Sequence, residues 1–133
     1  MNEEFIAMYD FLTIAEIPMF SLSCNYALAL GTFLNEFYEC NSSDKILALQ
    51  DEPIIGILDR VQYCKLAAAA HKLSVDYDLP IPDWTFKSKY TMPYPIYAYN
   101  SDDTDFHELL KDITPNEYKI RNLFVGSKIL KRV

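Results

Sequence analysis

A cluster of prolines limits what this sequence can fold into more than any other feature. Residues 79–100 contain Pro80, Pro82, Pro93 and Pro95. Proline lacks a backbone N–H and clashes with the preceding helical turn, so no continuous helix can run through this segment. The segment also holds six aromatic side chains, Trp84, Phe86, Tyr90, Tyr94, Tyr97 and Tyr99. We call residues 79–100 the strap, and we predict that it is extended and lies against helices.

The chain before the strap has the spacing of helices. Apolar residues recur every three to four positions over residues 3–16, which predicts a first helix. Ile17–Pro18 is predicted to end it, because the residue before a proline is pushed out of the helical region. A second helix is predicted to start at Ser21 or Ser23 and to end near residue 39.

The longest predicted helix follows next. A short helix capped by Ser43 precedes it. Asp51 can cap the long helix, and Pro53 is tolerated in its first turn. The helix is predicted to pass through Ala67–Ala70, where four good helix formers permit close packing, and to end near Val75.

Short elements are predicted after the strap. Residues 101–105 read as an exposed acidic loop, and residues 106–112 as a short helix. Thr114, Pro115 and Glu117 have the spacing of a capping box with proline at the first helical position. A further short helix to about residue 121 is therefore predicted.

These elements predict a mainly α fold, a compact helical bundle with one long central helix and an irregular strap of prolines and aromatics. The length of 133 residues suits a single domain, and half of the residues are hydrophobic, which is enough for a core. The predicted parts are a helical core over 1–78, the strap and acidic loop over 79–105, and short C-terminal helices over 106–133.

Several absences favour a cytoplasmic protein. No apolar run approaches the roughly 20 residues that span a bilayer. The first four residues include Glu3 and Glu4 and no basic residue, unlike the basic start of a secretory signal. The three cysteines are widely spaced and form no Cys-x-x-Cys pair, so buried free thiols are favoured over a zinc or redox site.

Charge is distributed unevenly around a net value of −7. Residues 1–116 carry 7 basic and 18 acidic side chains, a net −11, whereas residues 117–133 carry five basic and one acidic, a net +4. An acidic body repels nucleic-acid backbones and favours a basic partner surface. We call residues 117–133 the basic tail. Its five cations can contact nucleic acid, the acidic body or a partner, and we favour a structural role within the chain itself.

Catalytic motifs are missing from the sequence. It has no Gly-x-Ser-x-Gly, no His-Glu-x-x-His and, with three glycines, no phosphate-binding loop. His71 reads as a packed or surface histidine of the long helix. His107 lies among acidic residues that fit a helix start better than a metal site. We therefore predict no catalytic residue, cofactor or metal, although a deep pocket lined by His71 or His107 would favour an enzyme.

Two regions are candidate binding surfaces. The strap interleaves aromatic rings with Lys87 and Lys89. Such rings can stack on the bases of single-stranded nucleic acid. They can equally complete the core or form a hot spot of a protein interface. The basic tail is the second region. The predicted partner-binding residues are Trp84, Phe86, Tyr90, Tyr94, Tyr97, Lys119, Arg121, Lys128, Lys131 and Arg132.

Four motifs occur in order over about residues 45–133: Asp51-Glu52-Pro53, the alanine-bearing helix ending in Leu79-Pro80-Ile81-Pro82-Asp83-Trp84, Met92-Pro93, and Thr114-Pro115 through Arg121-Asn122-Leu123-Phe124-Val125. This set resembles a group of small bacterial helical proteins, often encoded beside a nucleotidyltransferase-like protein in toxin–antitoxin pairs. The resemblance implies an antitoxin-like or regulatory partner protein. Some similar proteins carry a helix-turn-helix unit, and none is evident here.

The leading hypothesis is a non-enzymatic protein-interaction module, antitoxin-like or regulatory, with a toxin-like enzyme as one candidate partner. The alternatives are a nucleic-acid-associated regulator that uses the basic C-terminal segment and an acidic inhibitor that mimics DNA. Nucleic acid and membrane are disfavoured as partners, and either a monomer or an oligomer is compatible with the sequence.

Overall fold

The computed structural model describes residues 8–98 and 104–130, and over these ranges the protein is mainly α-helical, as predicted. The described α helices are α1 (Ile17–Ser21), α2 (Tyr26–Glu39), α3 (Ser42–Gln50), α4 (Arg60–Asp76), α5 (Thr104–Ile113) and α6 (Asn116–Lys119). The 3₁₀ helices are Ile14–Glu16, Asp83–Phe86 and Ser88–Tyr90, and two short strands are β1 (Ile96–Tyr97) and β2 (Leu123–Phe124). None of the helices in these ranges is long and apolar enough to cross a membrane.

The predicted break at Ile17–Pro18 is wrong, because a helix begins there. Pro18 lies in the first turn of α1, where a missing N–H leaves no hydrogen bond unmade. The chain before it, from residue 8 to Thr13, has no regular helix, and a single 3₁₀ turn leads into α1. Within the described residues, the helix predicted over 3–16 is therefore reduced to this turn.

Asparagines cap the next two helices in place of the predicted serines. The side-chain oxygens of Asn25 and Asn41 each accept a hydrogen bond of 2.8 Å from the backbone N–H three residues later. Ser21, Ser23 and Ser43 are not the caps. Asparagine and serine are about equally good at this position, so local preference alone did not separate them.

The long helix begins later than predicted. Asp59 caps α4 by accepting from the backbone of Gln62 (2.8 Å), and the Gln62 side chain accepts in return from the backbone of Asp59 (3.1 Å). Asp51 and Pro53 lie instead in a loop before the helix. The predicted end near Val75 agrees with the last helical residue, Asp76.

Helix α4 is the centre of the molecule. Its four consecutive alanines, Ala67–Ala70, are all buried, and it packs against α6 and against both 3₁₀ helices of the strap. Small side chains on every side of the helix let these elements approach closely. The main core around it includes the large apolar side chains of Phe33, Phe37, Leu49, Leu66, Leu73, Trp84 and Tyr90.

The strap lies against the helices, as predicted, but it is not extended throughout, because Asp83–Phe86 and Ser88–Tyr90 form 3₁₀ helices. Its two 3₁₀ turns contact α4, and its last described residues form β1, which pairs in parallel with β2. The Ile96 N–H donates to the Asn122 carbonyl (2.8 Å), and the Ala98 N–H donates to the Phe124 carbonyl (2.9 Å). Tyr99 and residues 101–103 of the predicted acidic loop lie outside the described residues, whereas Thr104 and Asp105, also predicted to lie in that loop, begin α5.

Thr114 does not cap a helix, so the predicted capping box is wrong. Its hydroxyl donates to the Leu110 carbonyl (2.5 Å) and accepts from the backbone N–H groups of Val125 (3.1 Å) and Gly126 (3.2 Å). Pro115 takes the cap position of α6, which is a single turn. Thr114 therefore ties the end of α5 to the chain after β2.

Candidate functional site

Three predicted partner-binding residues lie in the interior. Trp84, Tyr90 and Arg121 are 7%, 1% and 2% exposed. The Trp84 indole donates to the Leu49 carbonyl (3.1 Å), and its ring packs edge-on against Tyr90 at 5.5 Å. A partner cannot reach these side chains in this conformation, so the prediction that they contact one is corrected: they hold the strap on the helices.

The other three predicted aromatic residues are nearer the surface. Phe86 and Tyr94 are 57% and 58% exposed. Tyr97 is half-buried and is stacked between two rings, with His107 at 3.7 Å and Phe124 at 5.3 Å between centroids. This stack joins β1, α5 and β2, so the Tyr97 ring is already packed within the protein. Phe86 and Tyr94 are accessible to a partner.

Fewer cations of the basic tail are exposed than its sequence suggested. Lys128 is exposed and Lys119 is half-buried, whereas Arg121 points inward. Lys131 and Arg132 lie outside the described residues. Because phosphate binding needs accessible cations, the burial of Arg121 weakens the alternative of a nucleic-acid-binding tail.

The Arg121 guanidinium is held by uncharged groups. Nη1 donates to the Glu117 carbonyl (2.7 Å) and lies 3.0 Å from His71 Nδ1, and Nη2 donates to the Thr85 carbonyl (2.8 Å). Among residues 8–98 and 104–130, no carboxylate forms an ion pair with it. Burial lowers the pKa of Arg121, since a buried charge loses its hydration.

His71 completes this arrangement as an acceptor. Arginine can only donate, so the Nδ1 atom that faces Arg121 must carry a lone pair, and the proton of the neutral ring lies on Nε2. Burial, and then the charge of Arg121, lower the pKa of His71. The sequence indicated a packed or surface histidine, and the structure shows it half-buried, but nothing in the sequence pattern pointed to its partner 50 residues away.

Phe86 covers this buried cation. Its ring lies edge-on to His71, with centroids 5.1 Å apart, and 5.8 Å from the Arg121 guanidinium carbon. We call His71, Phe86 and Arg121 the Phe86 cluster. One side of the Phe86 ring is therefore fixed by buried groups while more than half of the residue faces solvent.

A second polar cluster fixes the strap beside it. Glu52 Oε1 pairs with Lys87 Nζ (2.6 Å), and Glu52 Oε2 pairs with Lys89 Nζ (2.9 Å) and accepts from the Tyr90 hydroxyl (2.5 Å). Partial burial would raise the pKa of Glu52, but these hydrogen bonds outweigh it and lower the pKa to about 2. Both strap lysines thus neutralise a carboxylate of the chain itself, which sequence reasoning missed because Glu52 was assigned to a helix start.

Groups suited to metal binding are not brought together in the described part of the chain. No three His, Cys, Asp or Glu side chains there are placed to hold a metal ion. His107 stacks on Tyr97, and His71 faces Arg121 and Phe86 rather than a nucleophile. The arrangement places the exposed Phe86 ring beside a buried cation.

A scan against protein-family models and searches of curated proteins and of solved structures found no match to this chain.

Proposed function

We propose that this protein is a non-enzymatic interaction module that binds a protein partner through the surface around Phe86. The observation that carries the proposal is that Phe86 is largely exposed yet held in place by the buried Arg121 and by His71. Interface hot spots favour large aromatic side chains, and a side chain that is already ordered loses little entropy on binding. Tyr94 is a second exposed aromatic residue of the strap.

Charge supports a basic protein as the partner. The net charge is −7, and the interior position of Arg121 removes one cation from the surface. Lys87 and Lys89 are engaged by Glu52, so their charges are partly neutralised. Oppositely charged surfaces steer association and suppress wrong partners. Enzymes that act on nucleic acids present basic surfaces, and the resemblance to antitoxin-like bacterial proteins supports a cytoplasmic toxin-like enzyme of this class.

Co-expression with the product of the adjacent gene tests this proposal. We expect a complex that survives purification, and we expect the module to relieve any growth inhibition that the partner causes alone. The variant Phe86→Ser should weaken both effects. Leu28→Ser is the matched control, because Leu28 is a similarly exposed apolar residue (56%) on α2. If no complex forms and no growth is restored, the proposal is wrong.

A further inference from the structure

The Phe86 cluster contains a side chain whose charge depends on pH. His71 is half-buried on α4, and its Nδ1 atom accepts a hydrogen bond from Arg121 Nη1 at 3.0 Å. The Phe86 ring lies edge-on to the same imidazole, with centroids 5.1 Å apart. Histidine is the side chain whose ordinary pKa places its change of charge between pH 5 and pH 8. The support of the exposed Phe86 ring is therefore tied to the protonation state of His71.

A proton on His71 Nδ1 is incompatible with this arrangement. The atom changes from an acceptor to a donor, and it then faces the Arg121 guanidinium, which can only donate. If neither side chain moved, nitrogen atoms of two cations would lie 3.0 Å apart, and like charges at such a distance repel. Protonation of His71 must therefore separate the imidazole from Arg121.

Other titratable groups lie around His71. On α4 itself, Lys72 pairs with Asp76 at 2.8 Å. The elements that pack against α4 bring Glu117, Tyr118 and Lys119 from α6, Asp83, Lys89 and Tyr90 from the strap, and Asp44 and Lys45 from α3. Burial is the largest influence on the pKa of His71 and lowers it, the charge of Arg121 lowers it further, and the charge of Glu117 raises it. The net shift is downward from 6.5, so the ring is neutral at pH 7.5 and takes up a proton only at acidic pH.

Burial decides which side chains move when His71 becomes charged. Arg121 is 2% exposed and also donates to the carbonyls of Glu117 and Thr85, so its departure would leave two buried acceptors without a donor. His71 is half-buried and Phe86 is 57% exposed, so both rings are close to solvent. We expect Arg121 to stay in place, the charged imidazole to turn towards water, and the Phe86 ring to lose its support.

We propose that His71 is a pH-sensitive switch for the Phe86 surface. When His71 is neutral, it accepts from Arg121 and holds the Phe86 ring in one position. When His71 is protonated, the ring is released while the rest of the fold remains. This role rests on the proposed function, because a released ring must be ordered again on binding, and ordering a side chain costs affinity. Partner binding is therefore strongest at neutral pH.

Nuclear magnetic resonance of the protein alone tests the switch, with the histidine and phenylalanine rings labelled and the pH lowered from 8 to 4.5. Cross-relaxation between the His71 and Phe86 rings should be strong at neutral pH. It should disappear with the midpoint at which His71 takes up its proton, below pH 6.5, while the α4 amide signals persist. In His71→Asn, which keeps an acceptor and does not titrate, the Phe86 signals should not change over this range.

The second histidine of the chain provides the matched control. His107 stacks on Tyr97, and His107→Phe keeps an aromatic ring there without a titrating group, so Phe86 should respond to pH as in the wild type. A His71 that becomes protonated while the contact with Phe86 persists would overturn the proposal. The same holds if His71 stays neutral down to pH 4.5, if Phe86 is released only on global unfolding, or if Phe86 still responds in His71→Asn.

Titration with the adjacent-gene product separates the switch from the proposed function. At about one pH unit below the His71 midpoint, wild-type affinity should be at least about tenfold weaker than at pH 7.5, whereas His71→Asn should lose much less. Equal losses in the two proteins would refute the switch and leave the function standing. If Phe86→Ala binds as tightly as the wild type at pH 7.5, the proposed function is wrong, and the ring signals alone then decide on the switch.

Discussion

The Arg121 guanidinium donates a hydrogen bond of 2.8 Å to the carbonyl oxygen of Thr85, which lies 36 residues earlier in the chain. This bond joins the end of α6 to the first 3₁₀ turn of the strap. Arg121 is buried, so the contact is shielded from water and from competing ions. Since Phe86 directly follows Thr85, the position of the exposed aromatic ring depends on a cation inside the protein.

Removing the Arg121 guanidinium should be costly. Arg121→Met leaves the carbonyls of Thr85 and Glu117 without their donor, and we expect the free energy of unfolding to fall by about 2–3 kcal/mol. Urea denaturation measures this. Arg60→Met is the control, because exposed Arg60 also donates to a strap carbonyl, that of Thr91 at 2.7 Å. Arg60→Met should cost less than about 1 kcal/mol, and equal losses would contradict a special role for Arg121.

His71 should make stability depend on pH. Its pKa is lowered in the folded protein from the ordinary 6.5, so folding disfavours its protonated form. The stabilisation is fully present above the unfolded pKa and is lost as the pH falls below it through the folded pKa. Unfolding free energies measured from pH 7.5 to pH 5 should therefore decrease, and more steeply in the wild type than in His71→Asn, whose side chain keeps an acceptor and does not titrate. Parallel curves for the two proteins would argue against His71 as the titrating group.

Glu52 should stabilise the folded protein when its carboxylate is charged. Its pKa is lowered to about 2 from the ordinary 4.5, so its contribution is present above pH 4.5 and disappears as the pH falls towards 2. Both lysine partners are about half exposed, and solvent screening limits the effect, so we expect Glu52→Gln to cost about 1 kcal/mol at pH 7. Asp76→Asn breaks the surface pair with Lys72 and should cost about 0.3–0.5 kcal/mol. A loss for Glu52→Gln no larger than this control would mean that the cluster does not hold the strap.

Thr114 should act through its hydroxyl and not as a helix cap. Thr114→Val keeps the shape but leaves the N–H groups of Val125 and Gly126 without an acceptor, and we expect a loss of about 1–3 kcal/mol. Thr114→Ser keeps the hydroxyl and should recover most of this loss. Hydrogen exchange gives the location: Val125 and Gly126 amides should exchange faster in Thr114→Val. Faster exchange confined to the first turn of α6 would instead support the capping box.

The sequence was sufficient for the fold class and for the strap, since both follow from helical spacing and from the chemistry of proline. The sequence was insufficient for the start of the long helix, where two residues are equally suited to be the cap. Asp51 and Asp59 are both good helix caps, and the choice between them depends on Glu52, which is held in a loop by strap residues 35 to 38 positions away. Local preference carries no information on such distant contacts.

The candidate site was predictable only in part. Phe86 and Tyr94 were identified as aromatic residues of the strap, and the structure exposes both. Arg121 was grouped with the surface cations of the tail because cations are rarely buried. Its acceptors are mainly backbone carbonyls, which every residue has, so no sequence pattern marks the place where they converge.

Binding of a protein partner through the surface around Phe86 can be measured by calorimetric titration of the purified adjacent-gene product into wild type, Phe86→Ala and Leu28→Ala. We predict that Phe86→Ala weakens binding by about 2 kcal/mol or more, roughly 30-fold, and that Leu28→Ala binds as the wild type does. Equal dissociation constants for all three proteins, or no binding by the wild type, would contradict the account.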